Sequence, residues 1–191
     1  MRPFHARNLF IVTGGPGAGK TTLVEALQAA GLATAPEAGR AIIRAQHAID
    51  GPARPDRDRT LYAELMLSWE LRSYEAARAG GRPHVCDRGI PDTIGYLRLI
   101  GLHVPPHLQK AATMFRYNET VFILPPWPEI CTVDAERTQT LDEAERTYEA
   151  MRDVYTELGY RLSPVPRATV AERRDFVLAG MRKAAERQAR A

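Results

Sequence analysis

The sequence predicts a three-layer α/β fold: a mainly parallel five-stranded sheet with helices on both faces. Short apolar runs of strand length alternate with longer stretches whose apolar residues recur at helical spacing. Most strand candidates are followed by a helical stretch, which supplies the crossover that parallel neighbours require. The chain has 191 residues, 45% hydrophobic and 26% charged. That is the size of one globular domain able to bury a core without disulfide or metal staples.

Residues 8–13 read as a buried strand, a β-rich apolar run stopped by glycines. From 19 to 30 the apolar positions Leu23, Val24 and Leu27 keep helical spacing, and Gly31 supplies the stop. A short strand over 32–36 leads into a helix over 37–49. The polar stretch 50–58 holds Pro52 and Pro55 and reads as a mobile loop. Tyr62, Met66 and Trp69, beside Leu61 and Leu65, mark an amphipathic helix to about residue 79. A weaker strand over 83–87 follows, then helical patterns near 92–100 and 106–117, and a strong strand over 120–124. Pro125-Pro126-Trp127-Pro128 breaks the chain. Thr140-x-x-Glu143 and Thr169-x-x-Glu172 are capping boxes that announce the last two helices. A final strand over 160–165 lies between them. The order of the five strands is not readable from their spacing.

Whole classes of function fall away on composition. The longest strongly apolar runs are four residues, such as Leu9-Phe10-Ile11-Val12, whereas a membrane span needs ~20. The two cysteines, Cys86 and Cys131, have neither zinc spacing nor a disulfide framework, which predicts a cytoplasmic protein. A net charge of +3 tolerates anionic ligands but is too mild to argue for nucleic acid. The C-terminal run 182–191 is basic and reads as a frayed, solvated helix end.

Gly14-Gly15-Pro16-Gly17-Ala18-Gly19-Lys20-Thr21 fits the phosphate-loop pattern G-x-x-x-x-G-K-[ST] completely. Glycines let successive backbone N–H groups turn inward as a nest for phosphate oxygens, and the helix that follows points its positive dipole end at the same place. Lys20 adds a point charge for the β- and γ-phosphates, and the Thr21 hydroxyl can ligate Mg²⁺. Gly14 through Thr21, with Thr22 next in the same helical turn, are the expected nucleotide contacts. The strand before and the helix after are the context the mechanism requires. The expected ligands are ATP, with GTP also compatible, and Mg²⁺. A Ras-like GTPase would carry N-K-x-D, and the chain has no Asn-Lys pair. A hexameric motor needs a strand ending in Asp-Glu and a helical lid domain for which the length leaves no room.

With those classes set aside, the chain resembles the small single-domain bacterial ATPases of an "AAA domain" family related to the ribosylnicotinamide-kinase portion of NadR and to nucleoside and nucleotide kinases. The resemblance rests on the phosphate loop, Pro36-Glu37-Ala38-Gly39-Arg40, Cys86-Asp87-Arg88-Gly89-Ile90-Pro91-Asp92, the Leu124–Glu129 stretch and the segment from Asp134 to Arg137. It implies a nucleoside-kinase-like sheet and an ATP site, and leaves the acceptor open. In the kinases it resembles, an acid after the second strand takes the proton of the attacking hydroxyl. Glu37 matches that position, or is a helix N-terminal carboxylate favoured by the dipole. Asp87 would hold Mg²⁺ through water or act as base, and Arg88 would clamp the acceptor or the transferring phosphoryl group. Arg137 falls where related kinases carry a mobile lid, about 127–140, and is either an arginine finger or an exposed helix residue. Arg167 would flank the nucleotide base, Trp127 reads as an apolar plug, and Asp92 as a helix N-cap.

The leading expectation is an ATP-dependent kinase passing a phosphoryl group to a small hydroxyl or phosphate acceptor. The alternative is a slow NTPase whose bound nucleotide is read by a protein partner, with 50–58 as the partner-facing loop.

Overall fold

The computed structural model describes residues 2–130 and 141–190. A two-residue strand β1 (Phe4–His5) precedes β2 (Leu9–Gly14), α1 (Lys20–Ala29), β3 (Ala33–Ala35), α2 (Ala38–Ala48) and α3 (Arg59–Ala79). Then come β4 (His84–Asp87), α4 (Ile90–Leu99), α5 (Pro106–Met114), β5 (Phe115–Arg116) and β6 (Thr120–Leu124). A 3-10 turn at Pro128–Ile130, α6 (Leu141–Glu157), β7 (Arg161–Pro164) and α7 (Val170–Ala189) complete the described chain.

Five strands form one parallel sheet in the order β3-β4-β2-β6-β7. The central strand β2 is buried along its whole length, with Ile11 between Cys86 and Val121. Its alternate side chains feed two cores, as the period-2 strand geometry demands. Leu9 and Ile11 pack with α3, α4, α5 and α6, among them Leu67, Ile94, Leu108 and Tyr155. Phe10 and Val12 pack with α1 and α7 through Leu23, Leu27 and Val177. Each such side chain contributes about 1.5–3 kcal/mol by leaving water, so the layers close on both faces of the sheet.

Connectivity fixes where a ligand can sit. From β2 the chain crosses to the edge strand β3, returns to β4 beside β2, and then passes to β6 on the other flank. The direction of winding reverses at β2, and such reversals open a crevice at the C-terminal strand ends. The expected phosphate loop lies there.

The expected strands and helices are present, with five differences. A second sheet pairs β1 with β5 in parallel, Phe4 opposite Phe115, and Tyr74 Oη donates to the carbonyls of Phe4 and Arg116 at 3.1 and 3.0 Å. Two-residue strands carry no period to read. The helix expected over 106–117 ends at Met114 for that pairing. α4 begins at Ile90, so Asp92 stands inside its first turn and Gly89 is the cap. In 50–58, Ala53 and Arg54 are buried, and Arg57 pairs with Asp50 at 2.8 Å. The box at Thr169 and Glu172 forms, whereas Thr140 lies outside the described residues. α7 runs on through Ala184, which is buried, to Ala189.

Candidate functional site

The chain leaves β2 at Gly14 and returns to helix at Lys20. Gly14, at φ 136°, leaves no room for a Cβ, which would lie 2.5 Å from the Leu124 carbonyl oxygen of β6. Gly19 caps α1 in the left-handed region at φ 75°. Pro16, Gly17 and Ala18 form the turn between. Lys20 folds back over the loop, its Nζ donating to the carbonyls of Gly14 and Gly15 at 3.1 and 3.0 Å. Burial, with Arg88 second, lowers the ammonium to about 8 against the pull of Asp87, Glu37 and Asp92. Thr21 and Thr22 are exposed in the first turn of α1.

Facing the loop are side chains from two neighbouring strand ends. Asp87 ends β4, and Glu37 stands where β3 gives way to α2. Arg88, held at φ 76° in a region costly for a side chain of its size, joins them. Its Nε donates to Glu37 Oε1 and its Nη1 to Asp92 Oδ1, each at 3.1 Å. Arg40 holds the other Glu37 oxygen at 3.2 Å. Asp92 is saturated: it also accepts from Thr13, from Tyr155 and from the Gly89 backbone. It therefore serves as the anchor that aims Arg88.

The two facing carboxylates are shifted in opposite directions. Burial would raise Glu37, yet Arg88, Lys20 and Arg40 outweigh it and hold the carboxyl below its ordinary value. Asp87 is raised, by burial first and by Glu37 and Asp92 after the opposing pull of Lys20. Asp87 Oδ1 is buried with no hydrogen-bond partner among the described residues. A buried acceptor left unpaired calls for an explanation, and a hydrated Mg²⁺ would supply one, with Thr21 and Asp87 as the residues that would hold it. The donor set, a hydroxyl and a carboxylate beside a phosphate nest, suits that ion.

Of the expected residues, the loop, Lys20, Glu37, Asp87 and Arg88 come together at one sheet edge. Arg167 is exposed in the turn between β7 and α7, with no ion pair or hydrogen bond among the described residues. Arg137 lies outside the described residues. Trp127 is not a plain plug: its ring centroid is 5.4 Å from the Arg173 guanidinium carbon.

Besides Arg54, two buried ionisable residues escaped the sequence reading. Glu70 on α3 is 7% exposed, makes no hydrogen bond among the described residues, and titrates near 8 because of burial and then of Asp92 and Asp87. Arg173 on α7 is 3% exposed and donates to Ala18 and Gly19. Both stand in the apolar stripe of a helix, Glu70 between Leu67 and Tyr74 and Arg173 ahead of Val177 and Met181. A charge at a core position of the helical period is the signal that would have found them.

Comparison with known proteins agrees with this fold. A family profile described as an AAA domain matches residues 9–173. No curated protein matches the sequence. A structure of NadR protein in complex with NR superposes with a TM-score of 0.63 at 17% identity, over 91% of this chain and 51% of that one. The chain thus spans about half the length of that protein. A deoxyadenosine kinase from M. mycoides, with products dCMP and a flexible dCDP bound, gives 0.63 at 12% identity over 92% and 99%. A thymidylate kinase from Ehrlichia chaffeensis gives 0.60 at 13% identity over 94% and 100%. At such identities the likeness is one of fold.

Proposed function

Because the chain belongs to the AAA domain family, whose profile spans most of it, we propose that it is a Mg-ATP-dependent phosphotransferase acting on a hydroxyl of a small molecule. One observation carries the reading: the phosphate nest with Lys20 faces Glu37, Asp87 and Arg88 across a single sheet edge. Phosphoryl transfer asks mainly for positioning and charge neutralisation, and those groups supply both.

In this reading the loop amides hold the phosphate oxygens, and Lys20 exchanges its carbonyl partners for the β- and γ-phosphates. Bound Mg²⁺, held by Thr21 and by Asp87 through water, would neutralise charge on the phosphates. Glu37 accepts the hydroxyl proton, and Arg88, braced by Glu37 and Asp92, stands beside the transferring group. Arg88 is already paired with both carboxylates, and Arg40 with Glu37. Those pairings favour a hydroxyl acceptor over one that brings its own phosphate. Two of the similar structures are nucleoside or nucleotide kinases by name, so nucleosides are the first acceptors to assay.

The test is binding of a non-hydrolysable ATP analogue with Mg²⁺ by wild type and Lys20→Ala. At 100 times the dissociation constant the wild type should gain about 2.7 kcal/mol of stability. Lys20→Ala should stay folded and lose most of that gain, because its ammonium contacts loop carbonyls and ligand more than core. Equal stabilisation of both proteins, or of neither by ATP or GTP analogues, would remove the reading.

A further inference from the structure

From the contacts behind the phosphate loop we infer that Arg173 is a positioning residue, which sets the loop amides toward the bound nucleotide and adds an unneutralised positive charge behind them. This rests on the nucleotide-binding reading above.

Arg173 lies on α7, 154 residues along the chain from Gly19. Its Nη2 donates to the carbonyl oxygens of Ala18 and Gly19, at 2.9 and 3.3 Å. A trans peptide plane holds its C=O and N–H in opposite directions. Drawing the Ala18 and Gly19 oxygens toward α7 therefore turns the N–H groups of Gly19 and Lys20 the other way. These are amides of the nest, in a stretch whose glycines leave the backbone free to choose many orientations. The Gly19 carbonyl also accepts from the Leu23 N–H of α1 at 3.2 Å, so the peptide left to be restrained is chiefly that of Ala18. Arg173 supplies that restraint from outside.

The environment of Arg173 points to a purpose beyond packing. The side chain is 3% exposed, and no carboxylate pairs with it among the described residues. Its Nε is buried without a hydrogen-bond partner among the described residues. The Trp127 ring, 5.4 Å away, is the compensation the fold provides. Buried arginines are ordinarily matched with an acid. Here the charge stays unmatched directly behind the place where phosphates bind, and an anion in the nest would complete it. α7 holds it there firmly, since the Arg173 N–H donates to Thr169 at 3.0 Å within the capped first turn.

The experiment compares wild type, Arg173→Met and Arg173→Lys by calorimetric titration with a Mg-loaded imido analogue of ATP and with adenosine, alongside thermal melts. Arg173→Met keeps length and apolar contact with Trp127 while removing donors and charge. It should bind the analogue about 10–100-fold more weakly, the worth of a hydrogen bond involving charge, with adenosine binding unchanged. Arg173→Lys should recover much of the loss. A merely structural arginine would lower the melting temperature of Arg173→Met and leave the analogue affinity of the folded protein as in wild type; that result would overturn the inference. Failure of the wild type itself to bind would instead remove the nucleotide reading on which the inference depends.

Discussion

Glu37 and Asp87 stand at the same phosphate loop with their acidities shifted in opposite directions, and the cause lies in single neighbours. Arg88 and Arg40 grip both oxygens of Glu37, whereas Asp87 keeps one buried oxygen without a partner among the described residues. In the proposed roles Glu37 is the base by its position and its ionised state, although the same arginines weaken it as a base, and the unpaired buried oxygen of Asp87 suits a cation. Glu37→Gln should therefore lower turnover on the true acceptor by about 10²–10⁴, the worth of a placed base, and leave nucleotide affinity nearly unchanged. Asp87→Asn should raise the Mg²⁺ concentration needed for half-maximal turnover. Magnesium titrations of both variants on one acceptor decide it: an unchanged Mg²⁺ response in Asp87→Asn beside a silent Glu37→Gln would exchange the two roles. At this scale the sequence was legible where chemistry demands a short fixed pattern. Lys20 and Thr21 follow from the loop motif alone, and Glu37, Asp87 and Arg88 from their places after strands. Glu70 and Arg173 belong to no short motif, and only their place in the apolar stripe of a helix, at core positions of its period, marks them in the sequence.

At the scale of elements, the phosphate loop is shaped by what presses on it. β6 comes so near that Gly14 has no space for a Cβ, and α6 does the same at Gly15, where a Cβ would stand 2.5 Å from the Ala144 carbonyl oxygen. That obstacle is helix backbone, which cannot rotate aside. Gly15→Ala should force α6 away from the sheet and cost about 1–3 kcal/mol, as overpacked sites do. Urea unfolding would measure the loss, and wild-type stability in the variant would mean that α6 yields without strain. The long elements announced themselves by period, from the fully buried β2 to the apolar stripe of α3. Their order in the sheet did not, since spacing along the chain says nothing of which strand lies beside which. β1 and β5 escaped for a different reason: two residues cannot display alternation, and their pairing is settled by Tyr74 and the aromatic contact of Phe4 with Phe115.

Across the whole molecule, ionisable groups converge on one sheet edge, and their titration is tied to folding. Glu70 is the strongest case: its carboxyl rises from an ordinary 4.5 to about 8, mainly through burial, then through Asp92, Asp87 and Glu37 against Arg88. Between those two values the folded protein keeps a proton on Glu70 that the unfolded chain has released. The unfolded state binds fewer protons there, so unfolding becomes easier as pH rises through that window. Asp87, also raised, acts with the same sign, and Glu37, lowered, acts with the opposite sign only as pH falls toward acid. Lys20, lowered to about 8 from 10.5, has its effect above the window. Stability should therefore decline from about pH 5 to pH 8, and Glu70→Gln, which keeps the shape without a titrating proton, should flatten much of that decline and be the more stable protein at pH 8. Urea midpoints at both pH values, taken without nucleotide, test this. Parallel pH profiles for the two proteins would show that Glu70 ionises in the fold as easily as in water, and that its burial costs nothing the edge has to hold.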